Sequence, residues 1–158
     1  YYPINAKIKL LDSGSSESRF LAVYCFGDIG CQNSLFPDSP MAHIMLPSSK
    51  AIRKNENVAK FADTAVVELI KQMESKGAKK VRFFAKIAGG AQMFSFSSQN
   101  DAMKIGERNA EAVRGMLKEL NIPIKADDTG GNFGRTIEFY SDDGRLLIKT
   151  AGKGVKEL

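Results

Sequence analysis

The chain reads as an α+β fold, a mixed α/β sandwich in which a mixed β-sheet packs against at least two helices within a single domain. Three observations predict it. Apolar residues recur at helical spacing between Asn57 and Gly77, with Val58, Phe61, Ala62, Ala65, Val66, Leu69, Ile70 and Met73 on one face. Several short apolar runs end at glycine, proline or aspartate, as strands do. Near the C-terminus, Asp142-Asp143-Gly144 separates two alternating segments, a hairpin signal. At 158 residues the expectation is one domain over residues 1–158, with its core over about 5–150.

Along the chain, Ala6 to Leu11 alternates like a half-buried strand, and Asp12 to Ser18 is a polar loop. Phe20 to Phe26 is almost wholly apolar, short and rich in residues that suit a buried strand; Gly27-Asp28 stops it. Residues 33–40, with Pro37 and Pro40, form a loop. Met41 to Leu46 is a second apolar strand closed by Pro47. The helix over 57–77 follows, with Gly77 as its stop. Lys80 to Ala88 is then a strand ended by Gly89-Gly90-Ala91, and Ser95 to Asn100 is a loop. A second helix spans about 105–120, with Ile105, Ala112, Val113, Met116, Leu117 and Leu120 inward. Ile122 to Ala126 is a short strand whose Pro123 places it at a strand start or a sheet edge. A glycine-rich turn from Asp128 to Arg135 leads into the hairpin of 136–140 with 145–149.

Composition excludes several classes. The chain is 43% hydrophobic and 26% charged, as ordinary globular proteins are. No apolar run approaches the roughly 18 residues that span a bilayer, so no membrane insertion is expected. The net charge of +5 is spread over scattered lysines rather than gathered among aromatics, which argues against a nucleic-acid partner and suits an acidic protein partner. Gly89-Gly90 lacks the Lys-Ser or Lys-Thr of a phosphate loop, so no nucleotide cofactor is expected. Two cysteines and one histidine, without carboxylates at ligand spacing, give no metal expectation. Cys25 and Cys31 do not make a disulfide framework, which favours a reducing, cytoplasmic location. No signal peptide is visible, and the opening Tyr1-Tyr2-Pro3, without methionine, leads us to expect that a segment precedes it.

The only histidine, His43, stands twelve residues after Cys31, and Cys31 follows the turn Gly27-Asp28-Ile29-Gly30. A thiol and an imidazole are the minimum parts for nucleophilic attack on a carbonyl carbon. Backbone N–H groups near Gly30 and Cys31 are candidate donors to the resulting oxyanion. The plain alternatives are a buried inert thiol and a core histidine.

Four blocks resemble one family, the chemoreceptor glutamine deamidases of the CheD type. They are Met41-Ala42-His43-Ile44-Met45-Leu46-Pro47, Ala85-Lys86-Ile87-Ala88-Gly89-Gly90-Ala91-Gln92-Met93-Phe94, Ile105-Gly106-Glu107-Arg108-Asn109, and Asp127 to Arg135 around Gly130-Gly131. The resemblance implies hydrolysis of selected glutamine amides in the cytoplasmic region of a chemoreceptor (a methyl-accepting chemotaxis protein), and a CheC-type phosphatase as partner. It implies His43 as acid and base and Cys31 as nucleophile, with Cys25 at the position of the family's assisting threonine; the other placement makes Cys25 the nucleophile. Gly30, Gly89, Gly90, Arg108, Asn109, Gly130 and Gly131 are the expected substrate-side residues. A rival reading is an adaptor that binds receptor or phosphatase without turnover, since the cysteine turn lacks the family's serine. A cysteine peptidase or transglutaminase is a further reading open to a thiol–imidazole pair.

Overall fold

A computed structural model describes residues 20–25, 41–51, 58–75, 78–91, 105–140, 145–150 and 152–158. The expected strand over 6–11, the turn carrying Gly30 and Cys31, the loop over 95–100 and the hairpin tip at 142–144 lie outside the described residues.

Four strands form a parallel sheet: β1 (Phe20–Cys25), β2 (Met41–Ile44), β3 (Phe84–Gly89) and β4 (Ile124–Thr129), in the order β2-β1-β3-β4. The near-continuous apolar sequence of β1 suits its place between two neighbours. Among the described residues β4 stands at the edge, and Pro123 comes just before it, its carbonyl accepting from the Ala85 N–H. A second sheet is antiparallel, in the order β5-β6-β7, from Arg135–Phe139, Leu146–Thr150 and Gly154–Glu157. Its β5–β6 pair is the expected hairpin, in register from Arg135 opposite Thr150 to Phe139 opposite Leu146.

Strand alternation sorts the parallel sheet's side chains into two cores. Ala42 and Ile44 of β2 and Ala85 and Ile87 of β3 pack with the helices α1 (Ala62–Ser75) and α2 (Ile105–Glu119). Met41 and Ala88 face the other way, onto Ile137, Phe139, Leu146 and Ile148 of the antiparallel sheet. The molecule is therefore three layers, helices on parallel sheet on antiparallel sheet.

The first helix starts later than its periodicity predicts. Residues 58–60 form a 3-10 turn, and α1 begins at Ala62. The Asp63 carboxylate in its first turn accepts hydrogen bonds from Ser48 Oγ and from Ser49 N and Oγ, which ties the chain after β2 to the helix start. A negative charge there also suits the helix dipole. α2 ends at a left-handed Asn121 (φ 56°), with Ile122 N–H donating to the Leu117 carbonyl.

Two strand boundaries differ from expectation. Lys80-Val81-Arg82 is a 3-10 turn rather than strand, with Val81 92% exposed. The ladder begins only at Phe84, where β1 supplies its first partner, Phe20. β4 runs on past Ala126 to Thr129. An irregularity opposite Ala85/Lys86 shifts its register, so that Asp127 pairs with Ile87 on the helix side and Asp128 with Ala88 on the other. Charged partners on both sides then keep these polar residues in the strand.

Candidate active site

The matching blocks meet at one place, the carboxyl edge of the parallel sheet. His43 is the penultimate residue of β2, Gly89 ends β3, and Gly130-Gly131 follow β4. The Gly130 N–H donates to the Gly89 carbonyl at 2.8 Å, which joins two of the glycine pairs. α2 begins at this same edge. A Cβ on Gly90 would lie 2.7 Å from the Gly106 carbonyl oxygen, and one on Gly106 2.6 Å from that of Gly90. Only glycine at both positions lets loop and helix backbones approach so closely, and Gly90 also has a positive φ of 65°.

His43 is buried, 5% exposed, on the face it shares with Met41. Burial lowers its pKa from 6.5 to about 4, because desolvation disfavours the charged ring. In these surroundings the imidazole is neutral at pH 7. The ladder sets Tyr24 opposite His43 and Cys25 opposite Ile44, so Cys25 stands one register position beyond the histidine on the neighbouring strand. Cys31 and Gly30 lie outside the described residues.

Asn109, expected on the substrate side, has 0% exposure. Its Nδ2 donates to the Ile44 carbonyl at 3.5 Å, so it touches the end of β2. Arg108, its neighbour, is exposed, as are Glu107 and Gly131. Gly89 and Gly90 are buried, and Gly130 is half-buried.

The glycine loop after β4 is fastened by charge. Arg135, 5% exposed, donates from Nε to Asp128 Oδ1 at 2.7 Å and from Nη1 to the Gly130 carbonyl at 2.8 Å. Lys156 of β7 donates to Asp128 Oδ2 at 2.9 Å. The Phe133 ring lies 4.4 Å from the Arg135 guanidinium carbon and 3.6 Å from Lys153 Nζ. On the helix side, Arg114 donates to Asp127 at 2.8 Å and also to Thr129. Burial pushes both aspartates up, but these hydrogen bonds and cations outweigh it and hold both below the ordinary value of 3.8. Asp127 and Asp128 are thus ionised fasteners, poorly suited to acid catalysis near neutrality. Among the described residues, no three histidine, cysteine, aspartate or glutamate side chains gather as a metal-ion site.

Sequence reading missed the Asn109–Ile44 contact, the Asp63 clamp and the Lys156–Asp128 bridge. The first and last join residues 65 and 28 positions apart, and no local pattern marks such pairs.

Comparison with known proteins follows the same blocks. The family model described as CheD chemotactic sensory transduction matches residues 45–150. A protein of Caldanaerobacter subterraneus subsp. tengcongensis, named "Probable chemoreceptor glutamine deamidase CheD", is 59% identical over 116 residues, 73% of this chain and 72% of its own. One from Halalkalibacterium halodurans, named "Chemoreceptor glutamine deamidase CheD", is 56% identical over 119 residues, 75% of this chain and 74% of its own. A third, from Lachnoclostridium phytofermentans, bears the same name as the first and is 54% identical over 120 residues, 76% of this chain and 74% of its own. The family match opens two residues after His43, so both cysteines precede it. With identities above one half over about three quarters of each chain, and the family match covering most of the residues that build the edge of the parallel sheet, this chain belongs to the CheD family.

Proposed function

We propose that this chain is a chemoreceptor glutamine deamidase, hydrolysing selected glutamine side-chain amides of chemotaxis receptors to glutamate and ammonia. The observation that carries this reading is the meeting of His43, Gly89-Gly90, the start of α2 and Gly130-Gly131 at the carboxyl edge of a parallel sheet. Open α/β sheets bind their ligands outside that edge. The names of the relatives supply the substrate class.

In the proposed reaction Cys31 is the nucleophile. Neutral His43 takes the thiol proton as sulfur bonds to the glutamine amide carbon. Backbone N–H groups at Gly30 and Cys31 receive the oxyanion. The imidazolium then returns its proton to the departing ammonia, leaving a thioester. Water attacks next, His43 takes its proton, and the thiol leaves with that proton as glutamate is released. Cys25 occupies the orienting position.

The substrate is a helical cytoplasmic segment of the receptor, and the protein acts in the cytoplasm. From β2 to β4 the edge spans three strand spacings, about 14 Å. An α-helix rises about 1.5 Å per residue, so about ten residues of one helix laid along the edge reach from His43 towards Gly130 and Gly131. Those glycines, Gly89, Gly90 and exposed Arg108 are the proposed substrate contacts. A CheC-type phosphatase is the proposed partner.

A second reading, a receptor- or phosphatase-binding adaptor without turnover, is favoured by one observation. The family match leaves out the segment bearing both cysteines. Ammonia release from a purified receptor fragment separates the two. Cys31→Ala is expected to abolish release while receptor binding persists, and Cys25→Ala to reduce it less. Full turnover by Cys31→Ala rejects the nucleophile assignment; no release by the unaltered chain, with binding intact, favours the adaptor.

A further inference from the structure

We infer that Asn109 is a positioning residue for His43: its amide, carried in the first turns of α2 and brought close by the Gly90–Gly106 backbone contact, holds the Ile44 carbonyl and so fixes the strand end on which the imidazole stands. The kinetic part of this inference rests on the deamidase reading; the structural part does not.

Asparagine is an expensive choice at this place. It is a weaker helix former than alanine, and burying an amide is costly unless it is hydrogen-bonded. Asn109 nevertheless has 0% exposure, on the buried face shared with Gly106, Ala110 and Val113. Ile44 is equally buried, and among the described residues β2 has a ladder neighbour on one side only, β1. The Asn109 Nδ2 donor approaches the Ile44 carbonyl from the helix layer at 3.5 Å. That carbonyl belongs to the residue directly after His43. On the far side of the same turn, Met45 N and Leu46 N donate to the Lys60 carbonyl, so the chain leaving His43 is held from two directions.

The contact is long, so its contribution to global stability is small. Its consequence is geometric. A displacement of about 1 Å at a reacting group can lower a rate by about 10²-fold. Gly106 makes the contact possible: a side chain there, or on Gly90, would push α2 away from the strand end and lengthen the reach of Asn109.

His43 is the only histidine of the chain, so its imidazole Hε1 gives one NMR resonance that no other histidine overlaps. The test uses the full chain, Asn109→Ala, and a receptor fragment as substrate. The expected result is a folded variant with a moved imidazole resonance, kcat reduced about 10-fold or more, and KM nearly unchanged. In the unaltered chain, the Asn109 side-chain amide resonances are expected to move as His43 is titrated with acid. A folded Asn109→Ala chain with the parental imidazole resonance overturns the inference. So does an Asn109 amide that ignores the titration, which decides the matter if the variant does not fold. If the unaltered chain releases no ammonia, the deamidase reading fails alone, because both resonance measurements still decide the positioning role.

Discussion

The two outer strands of the parallel sheet end in opposite ways. At β2 the strand end is uncharged and buried: a neutral His43, a buried Asn109 amide and a backbone carbonyl. At β4 the strand end is ionic: Asp128 takes both Arg135 and Lys156, and Asp127 takes Arg114. The difference follows from task and place. As the proposed base, His43 must keep an available lone pair near neutral pH, and burial favours the neutral ring. A loop of glycines carries almost no side chains to pack, so ions and one stacked ring hold it instead. The β2 end is then expected to be sensitive to pH and to packing, and the β4 end to loss of a buried cation.

Losing that cation should have the largest effect. Arg135→Met keeps bulk but leaves Asp128 with only Lys156, frees the Gly130 carbonyl and unstacks Phe133. Breaking a buried pair by removing one partner costs about 3–5 kcal/mol, and because Lys156 remains the expectation is the lower end of that range. Urea unfolding would show it as a lower midpoint with an unchanged slope. A loss below about 1 kcal/mol would mean that the β4 end is held by packing, and the contrast with β2 would fail.

Acid should act next, and at the other end. The folded His43 pKa of about 4 lies below its ordinary 6.5, so the unfolded chain binds more protons between those values. Stability from this residue is therefore complete above pH 6.5 and is lost as pH falls towards 4, by about 3 kcal/mol in all. His43→Leu should flatten that window. The lowered aspartates behave differently: their contribution is complete above 3.8 and is lost only as pH falls through their still lower folded values. Unfolding measured across this range thus separates the two strand ends. A His43→Leu chain with the parental acid slope between 6.5 and 4 would show that the imidazole is not the group responsible.

How much of this could be read from the sequence depends on range. The buried face of α1 (Ala62, Ala65, Val66, Leu69, Ile70, Met73) follows from apolar spacing alone, because a helix brings those positions together whatever lies opposite. The apolar run of β1, flanked by a strand on either side, and the β5–β6 hairpin were legible for the same local reason. Glycine pairs could be recognised as turns. That Gly90 meets Gly106, or that Lys156 crosses between sheets to Asp128, depends on which faces pack, and pattern does not encode that. Asn109 shows the limit well: beside Arg108 it reads as a polar helix start facing substrate, yet helical geometry places it on the face with Ala110 and Val113. The apolar run from Met41 to Leu46, ended by Pro47, placed His43 on a strand, while the relation of that ring to Cys31 falls outside the described residues.

A packing change at the β2 side comes third in size. Gly106→Ala gains intrinsic helix propensity of about 1 kcal/mol but sets a methyl group 2.6 Å from the Gly90 carbonyl oxygen. Backbone on both sides cannot yield cheaply, so a net loss of about 1–2 kcal/mol is expected, within the range for overpacked sites. Deamidation should fall further than stability, because the displaced helix takes Asn109 with it. A Gly106→Ala chain of raised stability and full activity would show that the two backbones have room to part.

The smallest effect isolates burial from charge. Arg114–Asp127 and Arg135–Asp128 are both arginine–aspartate pairs, with Nε to oxygen distances of 2.8 and 2.7 Å. They differ in surroundings: the Arg114 side chain is 41% exposed and that of Arg135 is 3%. Water and salt around Arg114 replace most of what its partner offers, so Arg114→Ala should cost less than about 1 kcal/mol and less still in concentrated salt. Arg135→Met should keep most of its penalty under the same salt, because ions cannot screen a pair that they cannot reach. Equal penalties for the two arginines, or equal salt dependence, would show that geometry rather than desolvation sets the strength of these fasteners, and the ionic end of the sheet would then need the same explanation as any surface pair.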